Sequence, residues 1–228
     1  MLRETMTAVL FSLAFAPAAV AQESTVADAD INDFWNKPDM DEAVAMLERD
    51  YPIIYNYRHA IVAALEIEPG SSVADVGAGT GFIARLMAEQ TGPSGTVYAQ
   101  DISPESLGYN VEMAEKQGLS NIQPVLGDQR RTNLPKSSTD LVVTIRTYHH
   151  FEHPEDTLAS IEAALRPGGR FVVIDFERIR GVTIQESYEH MRAGKGTFTD
   201  EIVDAGFVLS DEIPLLPENL YFLIFEKR

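Results

Sequence analysis

From residue 72 onward, short wholly apolar runs alternate with stretches whose apolar positions recur every three or four residues. That alternation of buried strand and amphipathic helix predicts a parallel sheet covered on both faces. Strands are predicted at Ser72–Val76, Thr96–Asp101, Ile122–Leu126, Leu141–Ile145 and Arg170–Asp175. The helices between them are predicted at Gly81–Glu89, Pro104–Gln117 and Pro154–Leu165. An irregular, partly helical insertion then fills Asp175 to Lys195. Thr197 with Asp200 three residues on resembles a capping box, and Gly206 supplies the stop, so a further helix is expected there. Two last strands, Phe207–Ile213 and Tyr221–Glu226, are joined through Pro214 and Pro217 with no room for a crossover helix, so they must pair antiparallel. Upstream, helical spacing covers Met40–Arg49 and Ile53–Leu65, and residues 22–38 form an acidic lead-in expected to be poorly ordered.

The N-terminus has a different pattern. Ala8–Ala21 is apolar all round, follows Arg3 and ends in the small-x-small triplet Ala19-Val20-Ala21. The run is shorter than the roughly 20 residues a membrane span needs. It predicts a cleavable signal peptide over residues 1–21 and a mature, exported and periplasmic protein, with no stable membrane insertion. A chain of 228 residues leaves room for one α/β domain over residues 39–228, with residues 39–68 as an N-terminal helical lid. The net charge of −17, with no basic cluster longer than Arg130-Arg131, would repel nucleic acid and an anionic membrane surface. The absence of cysteine excludes disulfides, thiolate metal sites and a cysteine nucleophile. Oligomeric state is not encoded in any of these features.

The chemistry concentrates in Val73-Ala-Asp-Val-Gly-Ala-Gly-Thr-Gly-Phe82, a strand running into glycines and then a helix. Gly77, Ala78, Gly79 and Gly81 allow a tight turn and close backbone approach, and the helix N-terminus offers unpaired N–H groups. The Gly-x-Gly-x-Gly spacing differs from the dinucleotide fingerprint. Asp75, two residues before the first glycine, would oppose a pyrophosphate but suits a cationic ligand. Asp101, at the end of the second strand, is placed to accept from ribose hydroxyls or to cap the next helix with Ser103. After the fourth strand come Tyr148, His149 and His150, candidate general bases at the carboxyl edge of the sheet. The histidines are adjacent, point to opposite sides of an extended loop and have no Glu-x-x-His helix beside them, so no metal site is expected. Trp35, Tyr51, Tyr55 and Tyr57 are candidates to stack on a bound ring or a cation, and His190 and Arg192 to approach an anionic ligand.

With these segments in place, the chain from Tyr55 onward resembles the class I S-adenosylmethionine-dependent methyltransferase family. The matching stretches are Val73–Phe82, Tyr98–Ser103, Gly127-Asp128, Asp140–Ile145 and Leu165–Asp175. Leu165-Arg-Pro-Gly-Gly and the His-His-Phe segment look closest to its quinone-biosynthesis C-methyltransferases. The resemblance implies a doubly wound, mostly parallel seven-stranded sheet with an antiparallel last strand, and S-adenosyl-L-methionine as cofactor. It also implies that Asp75 and the glycines hold the methionine end and Asp101 the ribose. Ile102 would lie against the adenine, Asp128 accept from its amino group and Gln129 sit beside it, while the segment from Arg146 would face the sulfonium and a small-molecule acceptor. Two other readings stand beside it: a non-catalytic exported domain binding a nucleoside-like ligand or a protein partner, and a nicotinamide-dependent oxidoreductase. The glycine spacing and terminal hairpin disfavour the last.

Overall fold

In the computed structural model, residues 30–50, 53–183, 185–217 and 219–228 are described. The apolar run Ala8–Ala21 expected to be a signal peptide, most of the acidic lead-in and Tyr51 lie outside the described residues. Among the described residues, helices α1 (Asp33–Asn36), α2 (Met40–Val44) and α3 (Ile53–Ala64) precede the sheet, and α2 runs on as a π-helical turn over Ala45–Asp50. The sheet region then reads β1 (Ser72–Val76), α4 (Phe82–Thr91), β2 (Thr96–Asp101), α5 (Pro104–Lys116), β3 (Ile122–Leu126), β4 (Thr139–Ile145), α6 (Pro154–Ala164) and β5 (Leu165–Phe176). It ends with α7 (Gln185–His190), α8 (Lys195–Asp204), β6 (Phe207–Glu212) and β7 (Leu220–Lys227).

The seven strands lie in the order β3-β2-β1-β4-β5-β7-β6. All neighbours are parallel except that β7 runs antiparallel to both β5 and β6, which is the expected terminal hairpin. Period-2 alternation divides each central strand between two cores. Val172 and Ile174 of β5, with Phe222 and Ile224 of β7, face α3 and α4. Phe171 and Val173, with Leu223 and Phe225, face Leu158 and Ile161 of α6 and Phe198 and Ile202 of α8. Burial on both sides is why these strands read as continuous apolar runs.

Two boundaries differ from expectation. β5 begins at Leu165, which pairs with Thr139, and a register shift absorbs Arg166–Gly169 before Arg170 pairs with Leu141. Helix α8 starts at Lys195 with Gly194 as its cap and no side-chain capping bond. Lys195 is fixed there by ion pairs to Glu177 and Glu212 at 2.8 and 2.9 Å, so Thr197 falls inside the first turn. The lead-in also differs, because its described end carries α1 and packs on the body. The buried Asn32 donates from Nδ2 to the His150 carbonyl at 3.0 Å and to Glu152 Oε1 at 2.8 Å.

Candidate active site

Strand order reverses between β1 and β4, and the crevice beyond their carboxyl ends is where ligands bind in open α/β sheets. A cavity of about 770 Å³ opens there. The glycine loop forms its floor. Gly77 and Ala78 donate to the Gln100 carbonyl, both at 2.9 Å, while Asn110 Nδ2 holds the Gly79 carbonyl at 2.7 Å and Arg85 the Thr80 carbonyl at 2.8 Å. Gly77 and Gly81 have φ of +76° and +73°, and a Cβ would strike Thr147 at the first and Asn110 at the second. Gly77, Ala78 and Gly79 line the cavity. Gly81 does not; its smallness lets α4 begin against Asn110.

Both loop acids face this space. Asp75 is 3% exposed, and its carboxyl is raised to about 7, first by burial and then by the neighbouring Asp101, with the Ala84 backbone opposing. Asp101 accepts from Gly79 N–H at 2.8 Å through Oδ2 and from Ser103 N–H at 2.9 Å through Oδ1. It therefore serves the turn into α5 and the cavity together, and burial raises its pKa against the backbone bonds of Ser103, Gly79 and Ile102. Neither carboxylate forms an ion pair among the described residues: the cations that line the cavity, Arg131 and Arg146, make none with Asp75 or Asp101. A ligand carrying positive charge fits that deficit.

The expected adenine-side residues also line the cavity. Ile102 and Asp128 do so, with Asp128 Oδ1 engaged by the N–H groups of Arg130 and Arg131 at 2.7 and 2.9 Å. Gln129 lines it too and donates to Asn36 Oδ1 at 3.0 Å, which ties α1 to the loop after β3. Among the proposed covering aromatics, Trp35 lines the cavity, edge-on to Phe34 at 4.8 Å. Tyr55 instead packs on Phe82 under the Arg58 guanidinium, and Tyr57 is exposed. The roof is completed by Met46 and Leu47 of the π-helical turn and by Ile53 and Ile54, an irregularity of a type common at functional sites.

The far wall comes from the segment after β4. Arg146 has φ +54°, a left-handed conformation that costs a side-chain-bearing residue about 1–2 kcal/mol. Its guanidinium stacks on Phe176 at 4.7 Å, and burial lowers its pKa while Asp175 opposes. Residues Tyr148–His150 then form a 3₁₀ turn rather than an extended loop. That turn brings the two adjacent rings to 4.3 Å, on one side, which overturns the expectation that they diverge. His149 and His150 line the cavity and His190 of α7 joins them, its Nε2 lying 3.4 Å from His150 Nε2. Burial lowers the pKa of His150 well below the usual imidazole value, helped by His149, His190 and Arg146. Nδ1 of His149 lies 2.8 and 2.9 Å from the two oxygens of Asp175, and its backbone N–H adds a 3.2 Å bond.

Two candidate residues are elsewhere. Tyr148 is fully buried away from the cavity, donates to Glu201 Oε2 at 3.0 Å and packs between Phe151 and Phe198. Its phenol is pushed upward by burial and then by Glu201, so it is no base. Arg192 is spent in a two-pronged pair with Glu201 at 2.6 and 2.7 Å. Sequence reasoning had not placed Asp175 in the site; its only sign was an acid ending a wholly apolar strand.

A family model described as a methyltransferase domain matches residues 67–208. The ubiquinone/menaquinone biosynthesis C-methyltransferase UbiE of Cupriavidus metallidurans is 30% identical over 119 residues, covering 52% of this chain and 48% of that protein. An uncharacterized 37.1 kDa protein in a transposon of Streptomyces fradiae is 30% identical over 176 residues, 70% of this chain and 50% of its own. The chain thus spans about half the length of the curated relatives it matches. Among solved structures, a SAM-dependent methyltransferase from Aquifex aeolicus aligns with a TM-score of 0.73 at 20% identity, over 83% of this chain and 99% of that one. The [4+2]-cyclase SpnF shares the fold at a TM-score of 0.63 and 16% identity, over 74% and 78%, so the fold by itself does not fix the reaction. The glycine floor, the two unpaired acids and the match across residues 67–208 agree, and the chain belongs to the family of class I S-adenosylmethionine-dependent methyltransferase domains.

Proposed function

We propose that this protein methylates a small molecule bound beside S-adenosylmethionine in the cavity between the glycine floor and the histidine wall. The observation that carries the reading is the pair of buried acids, Asp75 and Asp101, that face the cavity with no ion-pair partner among the described residues. When bound, S-adenosylmethionine supplies an electrophilic methyl group on a sulfonium whose charge disappears on transfer. Asp75 and the Gly77–Gly79 backbone would hold the methionine end, Asp101 the ribose, and Ile102 and Asp128 the adenine. Phe34, Trp35 and Phe176 give the remaining space flat apolar walls, which suits an aromatic or quinone-like acceptor. The kinship to UbiE, a C-methyltransferase of quinone biosynthesis, supports the same acceptor class.

The chain's main contribution is positioning, which can supply about 7–11 kcal/mol. His149 accepts the acceptor's proton at Nε2, because Asp175 holds its Nδ1 and fixes the ring.

Calorimetric titration with S-adenosylmethionine, S-adenosylhomocysteine and NAD tests the cofactor. Micromolar binding of the two sulfur compounds supports the reading; binding of NAD alone, or of none, overturns it. Release of S-adenosylhomocysteine across a panel of phenols and quinols then identifies the acceptor. The leader-like run Ala8–Ala21 supports a periplasmic location, in which case the cofactor must be carried across the membrane. Fractionation of cells expressing a tagged chain tests this: a shortened periplasmic product supports export, and full-length cytosolic protein refutes it.

A further inference from the structure

Three imidazoles from two separate segments converge on one wall of the cavity. His149, His150 and His190 each present a ring nitrogen, and these nitrogens all lie within 4.8 Å of one another. The His150 and His190 Nε2 atoms are 3.4 Å apart. Two nitrogens bound at about 2.0–2.1 Å to one tetrahedral ion lie roughly 3.4 Å from each other, so this edge is already at ligand spacing. The other ring centres stand at 4.3 and 5.4 Å, within reach of small side-chain rotations.

The surroundings favour an ion over a simple cluster of rings. Asp175 occupies Nδ1 of His149 and leaves Nε2 for coordination, the carboxylate–histidine arrangement that orients metal ligands and raises their basicity. Two of the three histidines are largely enclosed and one reaches solvent, which gives an entry path. Three imidazoles without a thiolate select zinc, cobalt, nickel or iron over magnesium or calcium. Arg146 adds an opposing positive charge, but its guanidinium is stacked on Phe176 and lies within the field of Asp175.

We propose that His149, His150 and His190 bind one divalent transition metal ion of the zinc type, leaving an open coordination position toward the cavity for an oxygen of the acceptor. The acceptor part of this inference rests on the methyl-transfer reading; the metal site does not. With the ion bound, His149 is a ligand instead of a base, and a coordinated hydroxyl gives up its proton to solvent because the cation lowers its pKa. The substrate class narrows accordingly to hydroxylated or otherwise oxygen-bearing rings.

Metal-stripped full chain titrated with cobalt(II) chloride reads the site directly, because tetrahedral cobalt absorbs intensely in the visible. One equivalent per chain, an intense tetrahedral spectrum and displacement by zinc are expected. His190→Ala, on an exposed position of a surface helix, should abolish the spectrum while circular dichroism stays unchanged. Asp175→Asn should weaken cobalt binding about 10–100-fold. No spectrum in the wild-type chain, or one that survives His190→Ala, overturns the site. S-adenosylmethionine binding is measured separately. Its persistence without metal binding sinks only the metal site, and metal binding without it sinks only the methyl-transfer reading.

Discussion

Nδ1 of His149 sits 2.8 and 2.9 Å from the two oxygens of Asp175, with the side chains 3% and 0% exposed. A carboxylate only accepts, so Nδ1 carries a proton, and in the neutral ring the lone pair is on Nε2. Nitrogen NMR of the imidazoles should therefore show the Nδ1–H form for His149. In Asp175→Asn that preference should disappear, and methyl transfer to the acceptor should fall by about 10²–10⁴-fold. Cofactor affinity should change little, because Asp175 does not line the cavity and acts on it through His149. Equal losses in both measurements would mean that Asp175 serves the fold only.

Asp75 makes cofactor binding pH-dependent. Its carboxyl rises from 3.8 to about 7 in the folded chain. A raised acid gives stability that is complete below the unfolded value and lost as pH climbs through 7, a cost to the ligand-free protein of about 4 kcal/mol. A cationic ligand wants the ionised form, so affinity for S-adenosylmethionine should drop roughly tenfold from about pH 8 to about pH 6. Asp75→Asn should bind more weakly, lose this dependence, and melt higher than wild type without ligand at the upper pH. Calorimetry and thermal melts across that range decide it; an unchanged slope in the variant would remove Asp75 from the binding site.

Gly81→Ala probes the loop rather than the ligand. The left-handed backbone alone costs alanine about 1–2 kcal/mol, and the new methyl would displace Asn110 from the Gly79 carbonyl. Melting temperature and cofactor affinity should fall together. Adding Asn110→Ala relieves the collision but not the backbone strain, so the double variant should regain part of the stability and little of the affinity. Full recovery of binding would show that Asn110 does not shape the floor.

What the sequence made legible follows from how local each signal is. The loop at Gly77–Gly81 and its acids are fixed by neighbours within the chain, and they lie where the spacing put them. The terminal hairpin was legible because its connection is too short for a crossover. The histidine wall was not, since it depends on whether Tyr148–His150 is extended or turned, a choice made by packing of Tyr148 against Phe151 and Phe198. The meeting of His190 with His150, 40 residues away, is purely tertiary. So is the packing of Asn32 and Trp35 on the site, because a polar segment gives no periodicity to announce it.

Tyr148→Phe separates proximity in sequence from proximity in space. The hydroxyl donates to Glu201, which retains both bonds from Arg192. Its loss should cost about 0.5–1.5 kcal/mol in denaturant unfolding and leave cofactor binding and turnover unchanged. A turnover defect larger than threefold, with stability intact, would return Tyr148 to the chemistry.

Trp35 is the only tryptophan of the 228 residues and lies on the cavity wall, so one fluorophore reports on the site. It is edge-on to Phe34 at 4.8 Å and to His150 at 6.4 Å, and α1 is tethered to the body through Asn36 and Gln129. A cation held near an indole face interacts favourably, by about 0.5–2 kcal/mol. S-adenosylmethionine should therefore quench or shift the emission saturably, and S-adenosylhomocysteine, which lacks the sulfonium, should do so less. Asn36→Ala frees the tether and should weaken the response more than it weakens binding measured by calorimetry. Emission indifferent to saturating cofactor would mean that α1 does not close over the occupied site.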